Sequence, residues 1–164
     1  MSVNSIEKLF VEELKDLHSA ENQITKALPK LIKAASSEEL RNAFNHNLKE
    51  TEGHIQRLDQ VFELLGSSPK NKTCEGMKGV LEEGKQMLDE TEEGAVRDIA
   101  LISAAQRVEH YEMAAYGTVR TYAEHLGKRE IANILQKTLD EEKAADEKLT
   151  EVSQTVHKQA LRAA

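Results

Sequence analysis

Four long stretches of this 164-residue sequence repeat apolar residues at every third or fourth position. That spacing is typical of the inward face of a packed α-helix, whose period is about 3.6 residues. The stretches cover residues 4–35, 37–65, 94–126 and 129–157. Ala, Leu, Glu and Lys dominate the composition, whereas Pro is rare and Trp is absent, as in all-helical proteins. The sequence therefore predicts an all-α four-helix bundle.

Local signals predict where these helices begin and end. Asn4 with Glu7 resembles a capping box, and residues 36–39 (Ser-Ser-Glu-Glu) offer a second one. Gly66 and Gly127 follow the last apolar residues of the second and third stretches, where glycine commonly ends a helix.

The segment between the second and third stretches predicts a long crossover. Residues 67–72 have the composition of a loop. Apolar residues from Met77 to Leu88 then predict a short amphipathic helix, weakened by glycines. Pro29 lies inside the first stretch and is expected to kink that helix or weaken one turn. Residues 1–164 are expected to form a single domain with one long crossover.

Each of the four apolar stripes is interrupted near its middle by a carboxylate. An unpaired buried carboxylate costs several kcal/mol, so a stable bundle must neutralise it or supply a cation. One such residue is most often a side chain that reaches solvent, but one in every helix at a similar depth is hard to obtain by accident. The interrupting acids are Glu21, Glu50, Glu109, Glu112 and Glu142.

The acids follow a weak internal repeat. Glu21 and Glu112 are 91 positions apart, and Glu50 and Glu142 are 92 apart. Antiparallel packing is therefore expected to bring all four to one layer of the bundle. His54 follows Glu50 by one turn, and Asp146 follows Glu142 by one turn; residues four apart share a helix face.

Carboxylates with an imidazole favour iron, then manganese, then zinc, and the richness in carboxylates favours a pair of ions. We therefore predict a site for two Fe ions, with Mn or Zn as alternatives. Glu109 could be a ligand, could accept a hydrogen bond from a ligand or could lie at the bundle edge, and Asp146 could face water. The candidate ligands are Glu21, Glu50, His54, Glu109, Glu112, Glu142 and Asp146.

Charge and composition argue against several other classes of protein. The net charge of −7 disfavours a nucleic-acid surface. The single Cys74 suits a reducing compartment, and the sequence shows neither a signal peptide nor a membrane span. We expect a soluble, cytoplasmic protein.

Four segments of the sequence form a recognisable combination: Leu17–Glu21, Glu50–Thr51 with His54, Val108–Glu112 through Tyr116–Thr118, and Leu139–Lys143. Taken together, they resemble the YciF-type bacterial stress proteins, a ferritin-like family. The resemblance implies a ferritin-like bundle, a homodimer, a di-metal site and a link to stress. It carries Glu21, Glu50, Glu112 and Glu142 over as ligand candidates. The chain departs from the di-iron pattern Glu-x-x-His, because His54 follows Glu50 by four and an acid follows Glu142.

Three functions from different classes remain open at this point. The first is an iron-dependent oxidoreductase or ferroxidase-like protein that reduces oxygen or peroxide. The second is a metal-binding stress protein without catalysis. The third is a structural dimer whose acids are protonated or paired internally.

Overall fold

The computed structural model describes residues 2–163, which form five α-helices. They are α1 (Ile6–Ala34), α2 (Glu38–Leu65), α3 (Glu75–Glu90), α4 (Ala95–His125) and α5 (Arg129–Ala163). The four long helices and the short crossover helix confirm the predicted architecture. The last helix is longer than predicted, because it continues past residue 157. Among these residues, no helix is long and apolar enough to cross a membrane.

The long helices form two hairpins that pack side by side. Short turns join α1 to α2 and α4 to α5, so each pair is antiparallel. Across the hairpins α1 packs against α4 and α2 packs against α5, while α3 lies over α4 and α1. The centre of the bundle is therefore lined by all four long helices.

The helix ends agree with the sequence signals in all but one detail. Ser37 caps α2 by accepting a hydrogen bond from the amide of Leu40 at 3.3 Å. At the first helix, however, the cap is Ser5, whose hydroxyl accepts from the amide of Lys8 at 3.2 Å. Asn4 instead accepts from the ammonium of Lys8, so the predicted cap at Asn4 is wrong by one residue. α1 continues through Pro29 without interruption.

The two glycine stops have the backbone conformation that favours glycine. Gly66 has φ 61° and Gly127 has φ 70°. After each, the next amide reaches back to a carbonyl of the last helical turn, from Ser67 to Phe62 and from Lys128 to Ala123. This hydrogen bond satisfies a terminal carbonyl and ends the helix.

The turn between α1 and α2 is fastened to α4 by Asp98. One carboxylate oxygen accepts from the amide of Ser36 and the other from that of Ser37, both at 2.8 Å. Asp98 is only 1% exposed. Its charge lies at the N-terminus of α2, where backbone amides and the helix dipole favour an anion.

The crossover helix α3 is docked at its first turn. The amide of Cys74 donates to Ser19 at 2.9 Å, and Gln23 donates to the carbonyl of Cys74 at 3.1 Å. Gly76 lies against the ring of Tyr111 so closely that a Cβ there would come within 2.7 Å of it. The start of α3 is thus held by α1 and α4 together.

Two apolar clusters fill the core, one on each side of a polar layer. The expected core residues Phe10, Leu58, Val119 and Leu149 are all at most 1% exposed. One cluster is built around Phe10, Phe62 and Tyr116, and the other around Phe44, Leu101 and Leu149.

Candidate metal centre

Four side chains, one from each long helix, meet in the polar layer. Glu21, His54, Glu112 and Glu142 each place one potential ligand atom within 4.8 Å of those of the other three. Their exposed fractions are 0%, 2%, 2% and 4%. We call this group the inner quartet. A carboxylate-rich set with one imidazole is the donor chemistry that suits iron or manganese.

The imidazole of His54 is oriented from outside the inner quartet. Its Nε2 donates to Glu141 at 2.9 Å, provided the proton is on that nitrogen. Glu141 in turn accepts two hydrogen bonds from Arg57, at 2.7 and 2.8 Å. Nδ1 therefore points inward, and an outer carboxylate of this kind is a common partner of a metal-bound histidine.

Glu21 is likewise oriented by a neighbouring side chain, that of Tyr116. Its hydroxyl donates to Glu21 Oε1 at 2.5 Å, and both side chains are fully buried. Burial and the neighbouring charge of Glu21 raise the pKa of Tyr116 well above its ordinary value, so the phenol stays a donor.

Several buried polar atoms in this layer have no hydrogen-bond partner. They include Glu21 Oε2, Glu109 Oε2, Glu112 Oε1 and His54 Nδ1. His54 Nδ1 lies 3.0 Å from Glu142 and 3.2 Å from Glu21, but neither contact has the geometry of a hydrogen bond. Buried atoms of this kind are normally satisfied, so a cluster of them without protein partners fits a set of ligands for a cation.

The layer also contains a small cavity. It has a volume of about 20 Å³ and is lined by Glu109, Glu112 and Glu142 together with Asn47 and Thr51. A volume of this size is enough for about one water molecule or ion. The donor set, the unpartnered atoms and the cavity all fit a metal site.

Without a metal, the layer is kept close to neutral by its pKa values. Burial raises the pKa of Glu112 and Glu109 well above the ordinary range, and the charge of Glu142 adds to the effect. Burial would also raise the pKa of Glu142. Hydrogen bonds from the protonated carboxyl groups of Glu112 and Glu109, together with the charge of His54, outweigh burial and lower this pKa to about 2.

His54 takes the positive charge that balances Glu142. Burial alone would lower the pKa of His54, but Glu142 and Glu21 raise it to about 10. The metal-free layer is thus an imidazolium beside an ionised Glu142, with protons on neighbouring acids. A metal ion entering the layer would displace those protons.

Three of the predicted ligands lie outside the inner quartet, and two of them pair with histidines near the surface. Glu50 is partly exposed and pairs with His46 at 3.1 Å. Asp146 pairs with His110 at 3.1 Å on the outer side of α5. We call His46–Glu50 and His110–Asp146 the outer pairs. The internal repeat predicted Glu50 in one layer with Glu21, Glu112 and Glu142; from α2 the structure places His54, the other predicted ligand on that helix, beside these three acids.

Glu109 occupies an intermediate position. It is 7% exposed, one turn before Glu112, and accepts a weak hydrogen bond from Asn47 at 3.5 Å. Its carboxylate lines the same cavity as Glu112 and Glu142. Glu109 therefore borders the inner quartet and leaves one oxygen unpartnered toward it.

Two functional residues escaped the sequence reasoning. Glu141 and Arg57 flank the helix stripes and gave no signal as interruptions of an apolar face. Glu141 precedes Glu142 and Arg57 is one turn after His54, so the signal that the sequence offered was a charged residue beside, or one turn from, a predicted ligand.

Comparison with known proteins places the chain in a family. A family model described as a domain of unknown function (DUF892) matches residues 5–162. Protein YciF of Escherichia coli strain K12 is 49% identical over 154 residues, which are 93% of this chain and 93% of YciF. The chain belongs to the YciF-type family. The resemblance found in the sequence is confirmed.

Solved structures agree with this assignment. The crystal structure of the E. coli stress protein YciF matches with a TM-score of 0.92 and 47% identity, covering 96% of this chain and 99% of that one. The structure of YcfI from Rhodopseudomonas palustris matches with a TM-score of 0.88 and 42% identity, covering 91% of this chain and 95% of that one.

A more distant structure extends the likeness in fold alone. A Bacillus anthracis protein described as ferritin-like and diiron-carboxylate matches with a TM-score of 0.70 at 15% identity, over 92% of this chain and 99% of that one. The ferritin-like fold predicted for this YciF-type chain is therefore confirmed, whereas the expected homodimer stays a prediction.

Proposed function

We propose that this chain binds two divalent metal ions, preferably iron, in the polar layer and uses Fe(II) to reduce oxygen or peroxide. The observation that carries the proposal is the inner quartet, in which four buried ligand atoms lie within 4.8 Å of one another. The description of the Bacillus anthracis fold relative as diiron-carboxylate supports iron.

The chain's own residues divide the work of holding two ions. Glu21, His54, Glu112 and Glu142 would supply the shared ligand set. Glu109, with an unpartnered oxygen beside the cavity, is the further carboxylate available to a second ion. Two ferrous ions would supply the electrons for the reduction.

The outer residues prepare the ligands for that role. Glu141 holds the proton on His54 Nε2, which leaves Nδ1 with a lone pair directed inward once the second proton is lost. Tyr116 keeps the Glu21 carboxylate in one orientation by donating to Oε1, which leaves Oε2 free. The two apolar clusters lie on either side of the layer and limit its contact with solvent.

Metal stoichiometry tests the binding. Protein purified without chelator and titrated with Fe(II) under anaerobic conditions is expected to bind two ions per chain. Glu112→Leu is expected to lose at least one of them, because it removes a buried carboxylate from the cavity. Glu63→Leu on the exposed face of α2 is the matched control and keeps both. Full occupancy in Glu112→Leu would overturn the assignment.

Oxygen uptake tests the chemistry separately. Anaerobically loaded protein mixed with oxygenated buffer or hydrogen peroxide is expected to oxidise Fe(II) faster than the same iron in buffer. Iron that binds but oxidises no faster would leave a non-catalytic metal-binding protein. If neither binding nor oxidation occurs, the layer is a structural arrangement of paired and protonated acids.

A further inference from the structure

We propose that the groove between α1, α3 and α4 is a binding site for a free fatty acid. The acyl chain would lie along the groove and the carboxylate among lysines at its rim. This site is distinct from the inner quartet, and binding there does not require a metal ion.

The walls of the groove are apolar. Its volume is about 350 Å³ and its lining includes Leu31 from α1, Val80, Leu81 and Leu88 from α3, and Val108 from α4. These side chains are only partly buried against the neighbouring core cluster. A concave apolar surface of this volume lies within the range of about 300–1,000 Å³ that small-molecule sites occupy.

The rim of the groove is basic in an acidic protein. Lys26 and Lys30 project from α1, and Lys78 and Lys85 from α3, while Glu82 is the one acid in the lining. Among residues 2–163, only Lys78 of these four forms an ion pair, with Glu75 at 3.6 Å. Four lysines along one groove, on a chain with net charge −7, favour an anionic ligand.

Lysine side chains suit an amphiphile in particular. Their methylene stems can cover an apolar chain while the ammonium groups reach the carboxylate at the solvent edge. The combination of apolar wall and basic rim thus matches both ends of a fatty acid, whereas a neutral apolar molecule would leave the lysines without a partner.

The length of the groove suits a single acyl chain. The portion of α3 that lines the groove, from Lys78 to Leu88, spans about 15 Å, which is long and narrow enough for a single extended chain.

The groove is also preformed. Its third wall, α3, is held at its first turn by the hydrogen bonds of Cys74 to Ser19 and Gln23, at 2.9 and 3.1 Å. The contact of Gly76 with Tyr111 fixes the same turn against α4. A ligand entering the groove does not need to order the helix, which lowers the cost of binding.

The floor of the groove is shared with the polar layer. Ala27, Leu31, Leu81, Ala105 and Val108 line both the groove and the small cavity that reaches Glu109, Glu112 and Glu142. A bound acyl chain would therefore cover the α1–α4 side of the carboxylate layer.

Equilibrium dialysis of the intact protein with radiolabelled dodecanoate, below its critical micelle concentration, tests the proposal. We expect saturable binding of one molecule per chain. The triple variant Lys26→Gln/Lys30→Gln/Lys85→Gln is expected to bind about ten-fold more weakly, because three exposed ion-pairing partners of the carboxylate are lost. Dodecanol, which lacks the carboxylate, is expected to bind the unmodified protein and the triple variant with equal affinity.

A matched control removes the same charge elsewhere. Lys49→Gln/Lys143→Gln/Lys158→Gln changes three exposed lysines outside the groove and is expected to bind dodecanoate as the unmodified protein does. Ala27→Phe is expected to abolish binding by filling the groove; if it does not fold, the lysine variants, which alter only exposed side chains, still decide the matter.

Several results would overturn the proposal. These are an absence of saturable dodecanoate binding, or equal weakening in the two triple variants. Lysine-dependent sedimentation with phosphatidylglycerol vesicles, without binding of monomeric dodecanoate, would assign the groove to a membrane surface. A dimer that dissociates in the groove variant alone would assign it to a second copy of the chain.

Discussion

The inner quartet and the outer pairs are built from the same residue types, yet they have opposite environments. Glu142 is buried with His54, while Glu50 and Asp146, each one turn away on the same helices, pair with histidines near solvent. Four residues advance a helix by about 40° beyond a full turn. That rotation places His54 rather than Glu50, and Glu142 rather than Asp146, in the core. A shared spacing of four residues therefore does not by itself define a site.

The largest expected effect separates the two regions by metal content. Glu142→Leu removes a carboxylate from the inner quartet and is expected to abolish or halve bound Fe(II), because one of the four clustered ligand atoms is lost. Asp146→Leu, one turn along α5, is expected to keep full occupancy. Elemental analysis after anaerobic loading measures both. Equal loss in the two variants would place Asp146 among the ligands and remove the distinction.

A smaller effect is expected from the carboxylate that orients His54 from outside the inner quartet. Glu141→Gln keeps the side-chain shape but weakens the ionic contacts to His54 and Arg57. Loss of such an orienting carboxylate typically lowers metal affinity about 10–100-fold. Competition with a chromogenic chelator measures the change, and Glu147→Gln, an exposed acid on the same helix, serves as the control. Unchanged affinity in Glu141→Gln would show that His54 is oriented without it.

The inner hydrogen bonds should also contribute to stability. Tyr116→Phe leaves Glu21 Oε1 without its phenol donor in a fully buried position. We expect the free energy of unfolding of the metal-free protein to fall by about 1–3 kcal/mol. Tyr122→Phe is the matched control, because the Tyr122 hydroxyl makes no hydrogen bond within residues 2–163. Urea unfolding at one pH compares them, and equal stability would mean that Tyr116 acts by packing alone.

The pH dependence of the metal-free protein should follow the inner quartet. The folded-state pKa of His54 is raised from 6.5 to about 10, so the folded protein binds this proton more tightly than the unfolded chain does. That contribution is fully present below pH 6.5 and is lost as pH rises toward 10. The raised pKa values of Glu109 and Glu112 act in the same direction.

Urea midpoints measured across this range are expected to fall with rising pH, and less so in His54→Gln. Metal-loaded protein is expected to lose the dependence, because bound metal replaces the protons. Identical pH profiles for the unmodified protein and His54→Gln would contradict the assignment of the charge to His54.

The smallest effect is expected in the outer pairs. His110 is two-thirds exposed beside Asp146, where ion pairs contribute little because solvent screens them. His110→Ala is expected to change the free energy of unfolding by no more than about 0.5 kcal/mol and to leave metal content unchanged. A larger loss in thermal or urea unfolding would show that the outer pairs support the layer.

The four helices could be predicted from the sequence because each stripe has an apolar period that only one face of a helix satisfies. Glu21, Glu112 and Glu142 could be predicted by the same reasoning, since each stands at a position where the stripe requires Leu or Val. All three are buried as expected.

The partner on α2 could not be chosen in this way. Asn47, Glu50 and His54 are all polar members of one stripe, and the stripe does not tell which of them rotates inward. Glu141 and Arg57 were missed for a different reason: their contact joins α2 to α5, which periodicity within one helix does not report.

The contact of Asp98 with the turn between α1 and α2 has a consequence for where the chain can be cut or extended. Both amides of that turn are tied to a buried carboxylate on α4, so a protease or an inserted peptide would have to break that contact first. The loop after Gly66, in which residues 70–73 are all exposed, carries no such attachment. Nicking, circular permutation and fusion of a reporter should therefore succeed there and fail at Ser36–Ser37.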